Sequence, residues 1–157
     1  MTMEMLGQQV FFANRVPITA AATNLFPLFA NAGLVGPLSG SAGGVVDQRL
    51  QKITGIRDMG LEAVFEYGSG GTTAKVYLQS SWDGVNWHDV VQFAFLLANS
   101  RKVATIFPPA TVPTVATDGT LADDTIGGPP AIYWRTKIIT TGVYATTFIT
   151  VKGDSKK

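Results

Sequence analysis

The sequence predicts an all-β fold: an antiparallel β-sandwich or jelly roll of about seven to eight strands, preceded by an extended N-terminal arm. Three observations predict it. Apolar and polar residues alternate over short runs, clusters of Gly, Ser, Asn and Asp separate those runs, and helical periodicity is nowhere sustained. The 157 residues, 46% hydrophobic, suffice for one domain with its own core and appendages.

Residues 1–49 read as the arm. Between Met5 and Val46 the only charge is Arg15, and Pro17, Pro27 and Pro37 punctuate a run rich in Ala, Gly, Leu and Phe. The uncharged stretch from Val16 to Leu38 has the length of a membrane span, but Pro27 interrupts it and Thr19, Thr23, Asn24 and Asn31 would sit in hydrocarbon. Ala30-Asn31-Ala32 has the form of a signal-peptide cleavage site, yet Glu4 precedes any Lys or Arg and Pro27 lies in the apolar region. An apolar arm is therefore expected, with a short strand near Gln9–Phe12, lying over its own domain or over a neighbouring subunit. Its candidate contacts are Phe11, Phe12, Leu25, Phe26, Leu28, Phe29, Leu34 and Val35, because apolar surface of that extent seeks cover.

Residues 50–151 form the expected sandwich. Its strands are Leu50–Arg57, Leu61–Tyr67, Thr73–Ser80, Trp87–Phe95, Lys102–Phe107, Ile132–Thr140 and Tyr144–Val151. Leu61, Ala63, Phe65 and Tyr67 share one face of their strand; Ala74, Val76 and Leu78 share one face of the next; Trp134, Thr136 and Ile138 do so with Ile132 near the end. Gly68-Ser69-Gly70-Gly71 makes a loop, Asp83-Gly84 supplies residues that tolerate positive φ in a hairpin, and Gly142 closes the last one. Residues 108–130 form a long connection, expected to be either disordered or a binding surface. The polar tail 152–157 is expected to be mobile.

Composition limits the function. Charged residues are only 15% and the net charge is +1 without a basic stripe, which argues against direct nucleic-acid binding and for a surface covered by other subunits. The absence of cysteine excludes disulfides and thiolate metal sites and is compatible with assembly in a reducing cytoplasm.

No catalytic, cofactor or metal site is predicted. His88, the single histidine, stands beside Trp87 and Asp89 without an evident partner for acid–base work. Asp118, Asp123 and Asp124 do not have the spacing of a calcium loop and read as solvated loop acids. Glu62 and Glu66 read as an exposed strand face with Lys75 as cross-strand partner. No Gly-x-Ser-x-Gly elbow occurs, and neither glycine cluster leads into a helix carrying Lys-Ser or Lys-Thr.

Two resemblances go further. Ser81-Trp82-Asp83-Gly84-Val85-Asn86-Trp87 resembles the S-x-D-G-x-x-W hairpin of discoidin-type carbohydrate-binding sandwiches and approaches the Asp box of sialidase propellers, from which its spacing departs. It reads chiefly as a hairpin device built from Asp83, Gly84 and Trp87, with Trp87 packing back onto the core. Trp82 and His88 are the candidates for surface recognition. From Leu61 to about Val151, Gly-Gly-Thr-Thr, the alternating strand, Asp-Gly, Trp and Phe-Ala-Phe resemble small virion proteins of tailed bacteriophages and prophages. That resemblance implies a capsid decoration or cement protein. It would be made in the host cytoplasm, would act on the virion surface as a homo-oligomer, commonly a trimer, and would clamp the major capsid protein without enzymatic activity. The alternatives are a glycan-binding adsorption module using Trp82, Trp87 and the 108–130 loop, and a head-to-tail or tail component of the same particle.

Overall fold

The computed structural model describes residues 2–4, 9–27, 52–54, 58–106 and 116–156. Its strands are β1 (Thr2–Glu4), β2 (Gln9–Ile18), β3 (Ala22–Pro27), β4 (Lys52–Thr54), β5 (Asp58–Glu66), β6 (Ser69–Gly70), β7 (Thr73–Ser81), β8 (His88–Phe95), β9 (Ser100–Ile106), β10 (Tyr133–Thr141), β11 (Tyr144–Ala145) and β12 (Thr147–Lys156). One sheet runs β1-β4-β10-β7-β8, with β3 also paired to β10, and the other runs β2-β12-β5-β9; β11 and β6 form a small pair. All pairings are antiparallel except β1 with β4.

The chain is all-β, as the alternation predicts. It steps from β2 to β3, from β5 to β7, from β8 to β9 and from β10 to β12, changing sheet each time. Both sheets thus repeat one order of partners, an arrangement compatible with a jelly roll. The core lies between them. Phe12 of β2 meets Trp134 of β10 with ring centroids 5.7 Å apart, and Phe65 of β5 stacks on Phe95 of β8 at 5.2 Å. Such contacts across the layers bury the inward residues of both sheets, the main favourable term in holding them together.

Several expectations are corrected. Residues 9–27 are no separate arm: β2 pairs with β12, β3 pairs with β10, and Val10, Phe12, Ala13, Val16 and Ile18 are buried in the core. Their apolar character serves the sandwich itself. Residues 152–156 of the tail are not free either, since β12 continues along β2 to Asp154 and along β5 to Lys156; residue 157 lies outside the described residues. Backbone pairing needs no apolar side chains there, and the missing Cβ of Gly153 leaves room for Phe12, whose Cε2 would lie 2.8 Å from such an atom. Of the expected strand Leu50–Arg57, only residues 52–54 are described.

The turn at 68–71 does not close a hairpin within one sheet. It carries the chain between sheets, so β5 and β7 are not neighbours, and Lys75 cannot serve Glu62 or Glu66. Glu62 instead pairs with Arg101 and with Lys152 (2.6 Å), and Glu66 pairs with Arg15 at 3.0 Å. Likewise Gly142 begins a crossing through β11, with Thr146 at φ 51°, and does not close a simple hairpin. At Asp83-Gly84 the expectation holds: β7 and β8 pair antiparallel across that turn.

Candidate functional site

The β7–β8 turn is organised by one carboxylate. Asp83 Oδ1 accepts the amides of Val85 (2.8 Å) and Asn86 (2.7 Å) and the Ser81 hydroxyl (2.9 Å), while Oδ2 accepts Asn86 Nδ2 at 2.7 Å. Gly84, at φ 76°, donates its amide to Ser81 Oγ at 2.9 Å. The Asn86 and Val85 amides, with the Asn86 side chain and Ser81, hold the Asp83 carboxyl well below the usual carboxylate range. The turn therefore carries a fixed negative charge at its rim.

Trp82 projects from this turn, 57% exposed, and its ring stands edge-on to His88 with centroids 5.6 Å apart. His88 Nε2 lies 2.7 Å from the carbonyl oxygen of Pro129 and 3.0 Å from Ser80 Oγ. A carbonyl only accepts, so Nε2 carries the proton and donates it to Pro129. Trp82, Asp83, Asn86, His88, Gly128 and Pro129 line a cleft of about 330 Å³.

The far wall is the connection before β10, whose described part, 116–132, is ordered against β8. Asp89 is its anchor. Buried on the outer side of β8, it accepts the amides of Gly119 (2.8 Å), Thr120 (3.0 Å) and Leu121 (3.0 Å), together with Gln79 Nε2 (2.6 Å) and Thr117 Oγ1 (3.2 Å). The amides of Gly127 and Gly128 then bond the carbonyls of Val90 and Asp89 at 2.8 Å each. Sequence reasoning missed Asp89 as a structural centre. An extra residue, Val90, interrupts the β7–β8 register and resets the alternation, so the sequence pattern does not reveal which way Asp89 faces.

The loop acids are not simply solvated. Asp118 pairs with Arg135 (3.1 Å) and Lys137 (3.0 Å), Asp123 with Lys75 (2.5 Å), and Asp124 with Lys102 (2.6 Å). Burial works against ionisation of Asp118 and Asp124, but Gln79 and Lys137 for the first, and Lys102 and the Ala94 amide for the second, bring both below the ordinary value. Among the described residues, no group of three or more His, Asp or Glu could hold a metal ion, and no helix is long and apolar enough to cross a membrane.

The other expected site residues are scattered. Trp87 does not pack onto the apolar core; it is half-buried beneath the Arg135 guanidinium, 4.6 Å from its ring centroid, while Trp134 fills the core. A single hairpin therefore turns Trp82 and Trp87 to different surroundings. Phe12 is 3% exposed and cannot contact a partner. Phe11 is half-buried, Phe26 packs against the core edge, and Leu25 is 49% exposed on β3. Leu28, Phe29, Leu34 and Val35 lie outside the described residues. Compared with known proteins, the chain matches no family model, no curated protein and no solved structure.

Proposed function

We propose that this chain is a non-enzymatic structural protein of a tailed-phage particle, a decoration or cement protein that binds the outer surface of the major capsid shell as a trimer. One observation carries the reading. The turns at which the chain changes sheet are tied together at one end of the sandwich, through Tyr67 N–H to Asn99 Oδ1 (2.7 Å), Gly71 N–H to Val143 O (2.7 Å) and Tyr144 N–H to Thr19 O (3.1 Å). This end presents Leu96, 85% exposed, Val143, 76% exposed, and Leu97 to solvent. Large apolar side chains on well-tied turns are contact residues in search of a partner, and at roughly 25 cal/mol per Å² their cover adds to a clamp. The resemblance of residues 61–151 to virion proteins supplies the kind of partner.

The clamp is thereby relocated. Residues 9–27 hold the sandwich together, so among the described arm contacts Leu25 and Phe11 remain available to a partner, with the turn end as the principal contact. The test is co-sedimentation of the purified protein with empty shells of the phage or prophage that encodes it. Wild type is expected to pellet with shells, and the double variant Leu96→Asp, Val143→Asp to stay in the supernatant with unchanged melting temperature. Light scattering is expected to give three times the 16.7 kDa chain mass. Absence of wild-type binding would sink the reading; binding to isolated necks or tails in place of shells would move the protein to that part of the particle.

A further inference from the structure

The cleft beside Trp82 does not belong to the apolar turn end. It is built by the β7–β8 turn on one side and Gly128-Pro129 on the other, with His88 between them. Its geometry combines an apolar wall with a polar rim. The Trp82 ring is held edge-on by His88, which is itself fixed by Pro129 and Ser80, so the indole is presented by a positioned neighbour and not by a loose surface side chain.

At the rim, Asp83 Oδ2 accepts one hydrogen bond among the described residues, from Asn86 Nδ2. A carboxylate oxygen accepts two, and an amide nitrogen donates two. One acceptor position on Oδ2 and one donor position on Nδ2 therefore remain side by side. A pair of adjacent hydroxyls, one donating and one accepting, satisfies both. A sugar ring carries such hydroxyls at its edge and an apolar C–H face that stacks on an indole. At about 330 Å³ the cleft lies at the small end of ligand pockets, the scale of a single ring.

We propose that this cleft binds a neutral saccharide, with one sugar ring on Trp82 and two adjacent hydroxyls held by Asp83 and Asn86. The fixed charge of Asp83 repels carboxylated or phosphorylated sugars, which sets the preference for neutral ones. Trp87 takes no part, since Arg135 covers its ring. The inference rests on the cleft alone and holds whether or not the chain binds a capsid shell.

The test is an NMR titration of the full ¹⁵N-labelled chain, reading the three tryptophan indole N–H signals, with Trp82 assigned from the Trp82→Phe variant, and the Gly84, Val85 and Asn86 backbone amides, which report affinity in the Trp82 variants as well. The probes are the methyl glycosides of glucose, galactose, mannose and N-acetylglucosamine, with methyl glucuronide as the charged control. At least one neutral glycoside is expected to shift the Trp82 signal saturably, leaving Trp134 unmoved. Trp82→Ala and Asn86→Ala are each expected to weaken binding by roughly tenfold, and Trp82→Phe by only about threefold. Trp82 and Asn86 are exposed, so the melting temperature of both variants, followed by far-ultraviolet circular dichroism, should match wild type. A Trp82 signal that no glycoside moves would overturn the proposal. So would affinity unchanged in Trp82→Ala, or methyl glucuronide binding as tightly as methyl glucoside.

Discussion

Asp83 and Asp89 are both carboxylates that gather backbone amides, yet only the first is legible in the sequence. The partners of Asp83 lie within three residues, so the Asp-Gly turn chemistry announces them. The loop partners of Asp89 lie 28 to 32 residues away and no local pattern marks them. Its importance is nonetheless the greater, because a buried carboxylate holding three amides is costly to remove. Asp89→Ala is expected to lower unfolding free energy by about 3 kcal/mol in urea titrations and to speed exchange of the Gly119, Thr120 and Leu121 amides. Protection unchanged at those amides would show that the loop is held by its ion pairs instead.

Among the elements, β8 is the edge of its sheet, and the segment 116–128 covers that edge. The Asp89 amide bonds Thr117 O (2.8 Å), the Gln92 amide bonds Thr125 O (3.0 Å), and Val91 bridges Ile126. Covering an edge in this way prevents pairing with another chain. It also explains why Tyr77, Gln79 and Gln92 are buried although they point away from the core. The sequence offered a loop that is disordered or binding; here the described part is an ordered cover whose far end forms a cleft wall. Asp118 and Asp124 fasten it through Arg135, Lys137 and Lys102, with Asp123 and Lys75 beside them. The carboxyl groups of Asp118 and Asp124 titrate lower when folded than when unfolded. Their stabilisation is therefore complete above the unfolded value of about 4 and is lost as pH falls through the folded values. Hydrogen exchange, corrected for intrinsic rates, is expected to show 117–128 opening on acidification before β10 does. Simultaneous loss of protection in both would refute a separately fastened cover.

At the scale of the whole molecule, β2 is the strand whose assignment matters most. It lies at the edge of its sheet yet contributes Val10, Phe12, Ala13, Val16 and Ile18 to the core, and its bulge at Arg15, φ 46°, lets that guanidinium sit 3.9 Å from the ring centroid of Phe148. Deletion of residues 1–27 is expected to abolish cooperative thermal unfolding in calorimetry, since each large buried side chain contributes about 1.5–3 kcal/mol. A truncated chain melting as wild type does would restore the independent arm. The sequence by itself determined the all-β class, the inward faces of β5, β7 and β10, and the Asp83 turn, because period-two alternation and turn chemistry act over a few residues. Only the tertiary structure decided that the chain changes sheet from β2 to β3, β5 to β7, β8 to β9 and β10 to β12, that residues 9–27 and the polar stretch 152–156 are paired strands, and that the Asp-Gly hairpin meets Pro129 in a cleft. Those outcomes depend on which distant backbone edges and side chains satisfy one another, and spacing along the chain does not carry that information. The hairpin from Ser81 to Trp87 was visible from its own residues, whereas the cleft required the wall that Asp89 holds in place.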